Sequence, residues 1–537
     1  MTPRAGWSRA AARPICCGEL AMSAPVLAPV PANPGAIFDL GQAPESTAVV
    51  DLTDPDRPVE LSYARMRDGT DAFGRGLRRA GFGRGSRIGI VSANRVEVFE
   101  AFFGAMKLGA IPVPLNIRLA TDQLRALVAA HDIDLIMCDP DQARRLGGLP
   151  NRILTFGSPG WAEFRDAGSL GAEALDDDEL ILQPFTSGST GLPKGILLTA
   201  GNLRWALGKM LPPGRPRNPA LTITVAHPLY HKNAMLGSKG AFLNGGRVVM
   251  MDRFEPRRFA EAIGLWRVSK VHTVPTMMAR LLAEPGLVAR IDQSSIQEVH
   301  MGSAPVSRRL WDEVCAAFPA ANLRISYGVT EAGPMQFGEH PDGLPRPPLS
   351  VGYPLPDCEL RLVGGATEDE GVLCIRNPGV MRGYHGDPER TAARFDAEGW
   401  YVTGDVFRRD ADGFHYFVGR DDDMFVVSGN NLYPAAVEET LLRHPEVLAA
   451  AVVPVEDAIR GQAPHAFVVL RSGAAVNEAT LRAFCLEHAP PYQHPRRIHF
   501  LDELPLAGTG KVDVRSLRNR AADLALDDAA ASQGSEG

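Results

Sequence analysis

Between about residue 60 and residue 330, apolar runs of strand length alternate with amphipathic helical patterns, and this alternation constrains the fold more than any other feature. Arg87-Ile88-Gly89-Ile90-Val91 reads as a strand. Phe99, Phe102, Phe103 and Met106 then recur at i, i+3, i+4 and i+7, the stripe of a helix with one buried face. Gly109 closes that helix. Pro112 and Pro114 confine any strand over 110–115 to a sheet edge. Thr121 reads as the cap of a helix burying Leu124, Leu127 and Val128, ahead of a strand over 135–138. Strands over 247–251, 270–274 and 323–327 follow. Helical stripes at Phe259, Ile263 and Trp266, and over 277–282, separate them. Such alternation predicts largely parallel sheets covered by helices, with ligands at the carboxyl ends of the strands. The turns after 180–182, at 301–305 and at 327–331 are expected there.

The character changes over 340–420, where Gly and Pro are frequent and apolar runs at 360–363, 371–375 and 413–418 are short. This predicts a small antiparallel β unit. Asp421-Asp422-Asp423 separates it from a last segment with helices opening at Pro434 and spanning 480–488, and strands over 448–455, 465–470 and 497–501. The fold class is therefore a large α/β N-terminal domain with parallel sheets, flanking helices and the antiparallel unit, joined to a small, mobile α+β C-terminal domain. At 537 residues the chain exceeds a single core. The expected divisions are a disordered tail at 1–35, domains over 36–419 and 420–525, and a disordered tail at 526–537. The Arg-bearing residues 1–33 resemble a transit peptide superficially. A disordered tail or an upstream start, with Met22 as the alternative, is the preferred reading.

A net charge of −7 gives no electrostatic case for nucleic acid. Seven scattered cysteines without a C-x-x-C pair point to reduced thiols, hence a cytoplasmic setting. No apolar run is long enough to be a transmembrane segment. A homodimer is left open.

After the apolar Leu180-Ile181-Leu182 comes Phe185-Thr186-Ser187-Gly188-Ser189-Thr190-Gly191-Leu192-Pro193-Lys194-Gly195. Glycines let successive N–H groups face one concavity, hydroxyls add donors, and Lys194 supplies a mobile charge for phosphate. It is not a Walker loop, since Pro193 stands where the second glycine belongs. Gly81-Phe82-Gly83-Arg84-Gly85 precedes its strand and so is not a dinucleotide loop.

The ordered string resembles the phosphate loop of the adenylate-forming superfamily, which includes acyl-CoA synthetases, peptide-synthetase adenylation domains and beetle luciferases. The resemblance spans about residues 36–520. It recurs, in order, at Pro228-Leu229-Tyr230-His231, Met301-Gly302-Ser303-Ala304-Pro305, Ser326-Tyr327-Gly328-Val329-Thr330-Glu331, Gly383-Tyr384 with Pro388-Glu389-Arg390-Thr391, Gly399-Trp400-Tyr401-Val402-Thr403-Gly404-Asp405, Gly419-Arg420-Asp421-Asp422-Asp423-Met424 and Thr509-Gly510-Lys511. It implies an AMP-forming acyl-CoA synthetase. A small carboxylic acid attacks the α-phosphorus of ATP, pyrophosphate leaves, and CoA then displaces AMP.

The same resemblance implies the roles. Thr186, Ser187, Gly188, Ser189, Thr190, Gly191 and Lys194 would hold the β- and γ-phosphates. Glu331 would help coordinate Mg2+, and Thr330 would contact the α-phosphate. Tyr327 would face adenine, opposite Gly302, Ser303 and Ala304, and Asp405 and Arg420 would hold the ribose. His231 would border the acyl pocket, with Asn233 and Lys232 adding polar contacts. Methionines and small residues around 231–238, 274–278, 301–303 and 329–335 suit an apolar or aromatic acid. Lys511 would bridge the carboxylate and the α-phosphate. Asp422 would be the hinge about which the small domain turns, so that the loop 427–431 closes for thiolation. The chain departs from the family at Pro505-Leu506-Ala507-Gly508, where Pro-x-Thr often precedes the glycine, and at Gly429-Asn430-Asn431, usually Gly-Glu-Asn. The alternatives are an enzyme loading a separate carrier-protein phosphopantetheine, a nucleotide-binding protein without turnover, and a luciferase-like oxygenase.

Overall fold

The computed structural model describes residues 30–186, 193–211, 215–365, 367–457, 461–506 and 512–534, with side chains through 524. Two parallel sheets carry the large domain. One has seven strands in the order Asn322–Ser326, Glu298–Gly302, Lys270–Thr273, Thr222–Val225, Arg247–Met250, Thr47–Asp51 and Val59–Ser62. Only the last of these runs antiparallel. The other orders Ile111–Pro114, Arg87–Val91, Leu135–Cys138 and Arg152–Thr155, all parallel. Pro112 and Pro114 lie on its edge strand, where a missing N–H removes least.

Helices Tyr63–Arg79, Val96–Lys107 and Lys232–Leu243 contribute to one aromatic core. Phe99 meets Phe242 edge-on at 5.4 Å, and Phe38 meets Phe103 at 5.3 Å. Gly104 makes the first two helices' approach possible, since a Cβ there would lie 2.6 Å from the Thr70 carbonyl oxygen. Lys107, buried in this core, is bound by Asp71 and Asp39 at 2.6 Å each, which offsets the cost of burying its charge.

The antiparallel unit is a four-stranded sheet of Glu359–Gly364, Glu370–Arg376, Tyr401–Arg409 and His415–Arg420. A short 3-10 turn, Asp421–Asp423, leads from it into the last segment. There Gly461–Leu470 pairs with Val447–Asp457, Arg497–Phe500 and the Phe425–Val427 hairpin strand. Phe425, Leu432, Val437, Leu441, Val452 and Leu481 belong to a core cluster of their own.

Four expectations are corrected. The phosphate loop does not leave a parallel strand: Phe185–Thr186 and Lys194–Thr199 are antiparallel, so the loop closes a hairpin in a third sheet with Leu180–Leu182 and Gly383–Tyr384. Pro184, between the two short strands, ends the first run. Thr121 is the first helical residue and not the cap; Gln123 accepts from the Ala120 N–H instead, and Thr121 Oγ1 accepts from Arg145. The N-terminal tail ends earlier than 35, because Asn33 is buried and donates to the Lys107 and Glu173 carbonyls. The C-terminal tail is helical through Gly534, in keeping with its alanine content. Leu517 and Ala521 pack against Ala451, Val453 and Phe467.

Candidate active site

The parallel strands Glu298–Gly302 and Asn322–Ser326 end side by side, and the turns that follow them open on one cleft. Gly302 stands where an added Cβ would approach Ser326 Oγ to 2.9 Å. Ser303 has φ 69°, a left-handed conformation that costs a non-glycine residue about 1 kcal/mol or more and marks the turn as held by its surroundings.

Thr186 and Lys194 are cross-strand partners at the two ends of the phosphate loop. Thr186 Oγ1 donates to Glu331 Oε1 at 3.4 Å, and the Tyr384 hydroxyl donates to the same oxygen at 3.3 Å. Lys194 Nζ lies over the Tyr384 ring, 5.5 Å from its centroid. Burial, with repulsion from Arg390 and Arg394, lowers the Lys194 ammonium below its ordinary value. Burial and the Glu331 charge push the Tyr384 hydroxyl up to about 12. Thus Thr186, Lys194 and Glu331 form one cluster, with Tyr384 as a member that sequence reading left without a role. Ser187, Gly188, Ser189, Thr190, Gly191 and Lys511 lie outside the described residues. On either side of the segment holding Lys511, Leu506 and Val512 pair in an antiparallel bridge and line the same cleft.

Asp405 is buried in the middle of the strand Tyr401–Arg409. It accepts the Tyr327 hydroxyl at 2.5 Å on one oxygen and Arg420 Nη1 at 2.8 Å on the other. Burial first, and then Asp405, drive the Tyr327 hydroxyl well above its usual range, so it remains a donor. The Tyr327 ring meets Phe407 edge-on at 4.7 Å. Arg420 also grips Asp422, joining Asp405 to the 3-10 turn Asp421–Asp423.

Thr330 opens a short 3-10 turn ending at Ala332. Its carbonyl and that of Val329 accept from Lys232 Nζ at 3.2 and 3.0 Å. Lys232 begins the helix Lys232–Leu243, whose N-cap is His231. Burial pulls Lys232 down to about 7, against the attraction of Glu331. The sequence had given this lysine little weight. Asn233 turns instead to His272, its Oδ1 lying 3.1 Å from Nε2. Beside the expected Leu236, Val274, Met277 and Met335, the cleft wall also holds His227, His272 and His300. Their signal was available: His272 lies one residue, and His300 two residues, before the end of a parallel strand.

The last segment faces the cleft through Leu506 and Val512, while the 427–431 hairpin does not line it. Ser428 and Gly429, at φ 51° and 82°, make its two-residue turn. Docking rests on Arg309, which donates to the carbonyls of Leu442, His444, Val447 and Pro445 at 2.6–3.2 Å. Glu439 accepts the Arg308 N–H at 3.1 Å. Among the described residues no group of three or more His, Cys, Asp or Glu could hold a metal ion, and no helix is long and apolar enough to cross a membrane.

Residues 39–385 match the family model described as AMP-binding enzyme, and residues 436–511 match its C-terminal domain. The chain is 31% identical over 518 residues to 4-coumarate–CoA ligase 2 of Oryza sativa subsp. japonica, covering 87% of this chain and 90% of that protein. It is 32% identical over 462 residues to 2-succinylbenzoate–CoA ligase of Geobacillus kaustophilus, covering 85% and 92%. An anthranilate CoA ligase solved in complex with anthranoyl-AMP superposes with a TM-score of 0.81 at 25% identity, covering 92% and 98%. With its phosphate-loop hairpin, its Tyr327–Asp405–Arg420 chain and both family segments in order, this protein belongs to the AMP-binding enzyme family.

Proposed function

We propose that the protein is an AMP-forming acid–thiol ligase, converting a carboxylic acid and ATP to an acyl-adenylate and pyrophosphate and then passing the acyl group to CoA. The observation that carries this reading is the convergence of Thr186, Lys194, Glu331, Asp405 and Arg420 on the cleft that Leu506 and Val512 also line. The names of the relatives favour CoA over a carrier protein as the acceptor.

The division of labour follows from charge. Lys194 and the loop beside it would neutralise the leaving pyrophosphate. Glu331 offers a carboxylate backed by two hydroxyls. A single carboxylate fits Mg2+ that arrives on ATP, since this cation keeps phosphate and water oxygens as most of its ligands. Mg2+ on the nucleotide would spread the charge of the polyphosphate. Asp405, held by Tyr327 and Arg420, would accept the ribose hydroxyls. Lys511, the residue before Val512 in sequence, would meet the charge that develops between the carboxylate and the α-phosphorus. Thr330 and Gly302–Ala304 would border the nucleotide, and His231 the reacting acid. In this account the arrangement described is the adenylating one, and turning about Asp422 would bring the 427–431 hairpin over the adenylate. The scattered cysteines without a C-x-x-C pair are the ground for reading a reducing, cytoplasmic setting.

A panel of carboxylic acids assayed for pyrophosphate release, with and without CoA, tests the reading. AMP and acyl-CoA formed together are the expected result. Pyrophosphate release that leads to turnover only with an added carrier protein would contradict it.

A further inference from the structure

Between the Thr186–Lys194–Glu331 cluster and the Tyr327–Asp405–Arg420 chain lies a cation that neither engages. Arg394 follows the short helix Pro388–Ala392, and its backbone is fixed on both sides. Its N–H donates to the Thr391 carbonyl at 3.0 Å, and its carbonyl accepts from the Val402 N–H at 2.8 Å. The next residue, Phe395, bridges to Tyr401, with the two rings edge-on at 5.8 Å. Arg394 is half-buried and lines the cleft together with Lys194, Glu331 and Tyr384. Its guanidinium lies beside Gly404, the residue before Asp405. A Cβ added to Gly404 would stand 3.6 Å from Arg394 Nη1 and 3.3 Å from Arg420 Nη2. The Arg394 charge acts on Lys194, Tyr384 and Tyr401 and also on Asp422, so it reaches both clusters.

The neighbouring arginines are engaged. Arg420 holds Asp405 and Asp422, and Arg390 pairs with Asp387 at 3.3 Å. The Arg394 guanidinium has no hydrogen bond or ion pair among the described residues. Such a group offers only N–H donors, in a planar fork that matches phosphate oxygens. Holding it near Lys194 and Arg420 without a carboxylate of its own costs repulsion, which a bound polyanion removes. We infer that Arg394 binds the β- and γ-phosphates of ATP together with Lys194 and holds the pyrophosphate as it leaves. This rests on the AMP-forming reading and adds a residue to it. As the carboxylate oxygen bonds to the α-phosphorus, the bond from that phosphorus to the bridging oxygen breaks, and its electron pair stays on pyrophosphate. Arg394 meets the added charge with charge-assisted hydrogen bonds, and no proton moves. The pinned backbone keeps the guanidinium in place before the charge arrives.

Calorimetric titration of the whole protein with MgATP and with AMP tests the assignment. Arg394→Ala is expected to weaken ATP binding about tenfold or more and to leave AMP, which lacks the β- and γ-phosphates, within about twofold. Arg394→Gln repeats the measurement with a side chain closer in size, should the alanine variant not fold. In ATP–pyrophosphate exchange the same variants are expected to raise the KM for pyrophosphate about tenfold while the KM for the acid stays in place. Equal losses for ATP and AMP would make Arg394 a ribose-binding or structural residue, and unchanged ATP binding would make it a solvated charge. Either result would overturn the assignment while leaving AMP-forming activation standing. A parent protein that binds neither nucleotide would overturn that activation and this assignment with it.

Discussion

The Arg420 guanidinium holds Asp422 by both carboxylate oxygens, Nε at 2.8 Å and Nη2 at 3.1 Å, while its Nη1 reaches Asp405 at 2.8 Å. One side chain thus couples the carboxylate assigned to the ribose with the turn assigned as the hinge. The hydrogen bonds to Asp422, outweighing the opposing effect of burial, push Arg420 above its ordinary value. Lysine cannot present the same fork. Arg420→Lys is therefore expected to raise the KM for ATP about tenfold, some 1.4 kcal/mol. Steady-state kinetics with ATP varied checks this, and an unchanged KM would contradict the ribose assignment.

Arg309 ties the last segment to the large domain through four backbone carbonyls. Arg309→Ala should loosen this arrangement without touching the nucleotide. Adenylation, measured by ATP–pyrophosphate exchange, is expected to fall about tenfold. Transfer from a supplied acyl-adenylate to CoA should be retained or faster. Equal losses in both steps would show that the contact does not distinguish the two arrangements.

Lys239 is buried over the Phe102 ring, 4.8 Å from its centroid, and burial lowers it to about 7. Its folded value lies below its unfolded one, so the folded state binds fewer protons between pH 7 and about 10.4, and stability rises with pH across that window. Lys239→Met should accordingly raise the melting temperature most at pH 7 or below, with the gain shrinking toward pH 10. Thermal unfolding at several pH values checks this. A gain that did not vary with pH would assign it to packing.

Glu331 accepts hydroxyl hydrogen bonds from Thr186 and Tyr384. Glu331→Gln keeps the shape and removes the charge, so adenylation should fall a hundredfold or more, on the scale seen for lost electrostatic stabilisation. Tyr384→Phe leaves the carboxylate in place and should cost about tenfold or less. Pyrophosphate release at saturating ATP separates the two, and similar losses would contradict the role given to the charge.

Much of the large domain was legible because its signals are local. Phe99, Phe102, Phe103 and Met106 follow helical spacing, and proline confines 111–114 to an edge. The phosphate-loop hairpin was misread because Leu180–Leu182 has the same apolar run whether its neighbours are parallel or antiparallel; only pairing with Lys194–Thr199 decides. Motif order brought Asp405 and Arg420 to one expected ribose site but gave no sign that they touch. Their contact depends on the register between Tyr401–Arg409 and His415–Arg420. The histidine wall escaped notice because each imidazole comes from a different strand end, and a lone histidine is ordinarily structural. Nothing in the sequence singled out Arg309, because its four carbonyl partners lie more than a hundred residues away and only folding brings them beside it.

The two half-reactions of Lys511→Ala test the account at its centre. Acyl-adenylate formation is measured by ATP–pyrophosphate exchange, and thiolation by CoA-dependent release of AMP from a supplied acyl-adenylate. The account predicts that exchange falls by a thousandfold or so, as expected when a charge placed for the transition state is removed, while thiolation stays within a few fold of the parent protein. Unimpaired exchange, or an equal collapse of both steps, would contradict it.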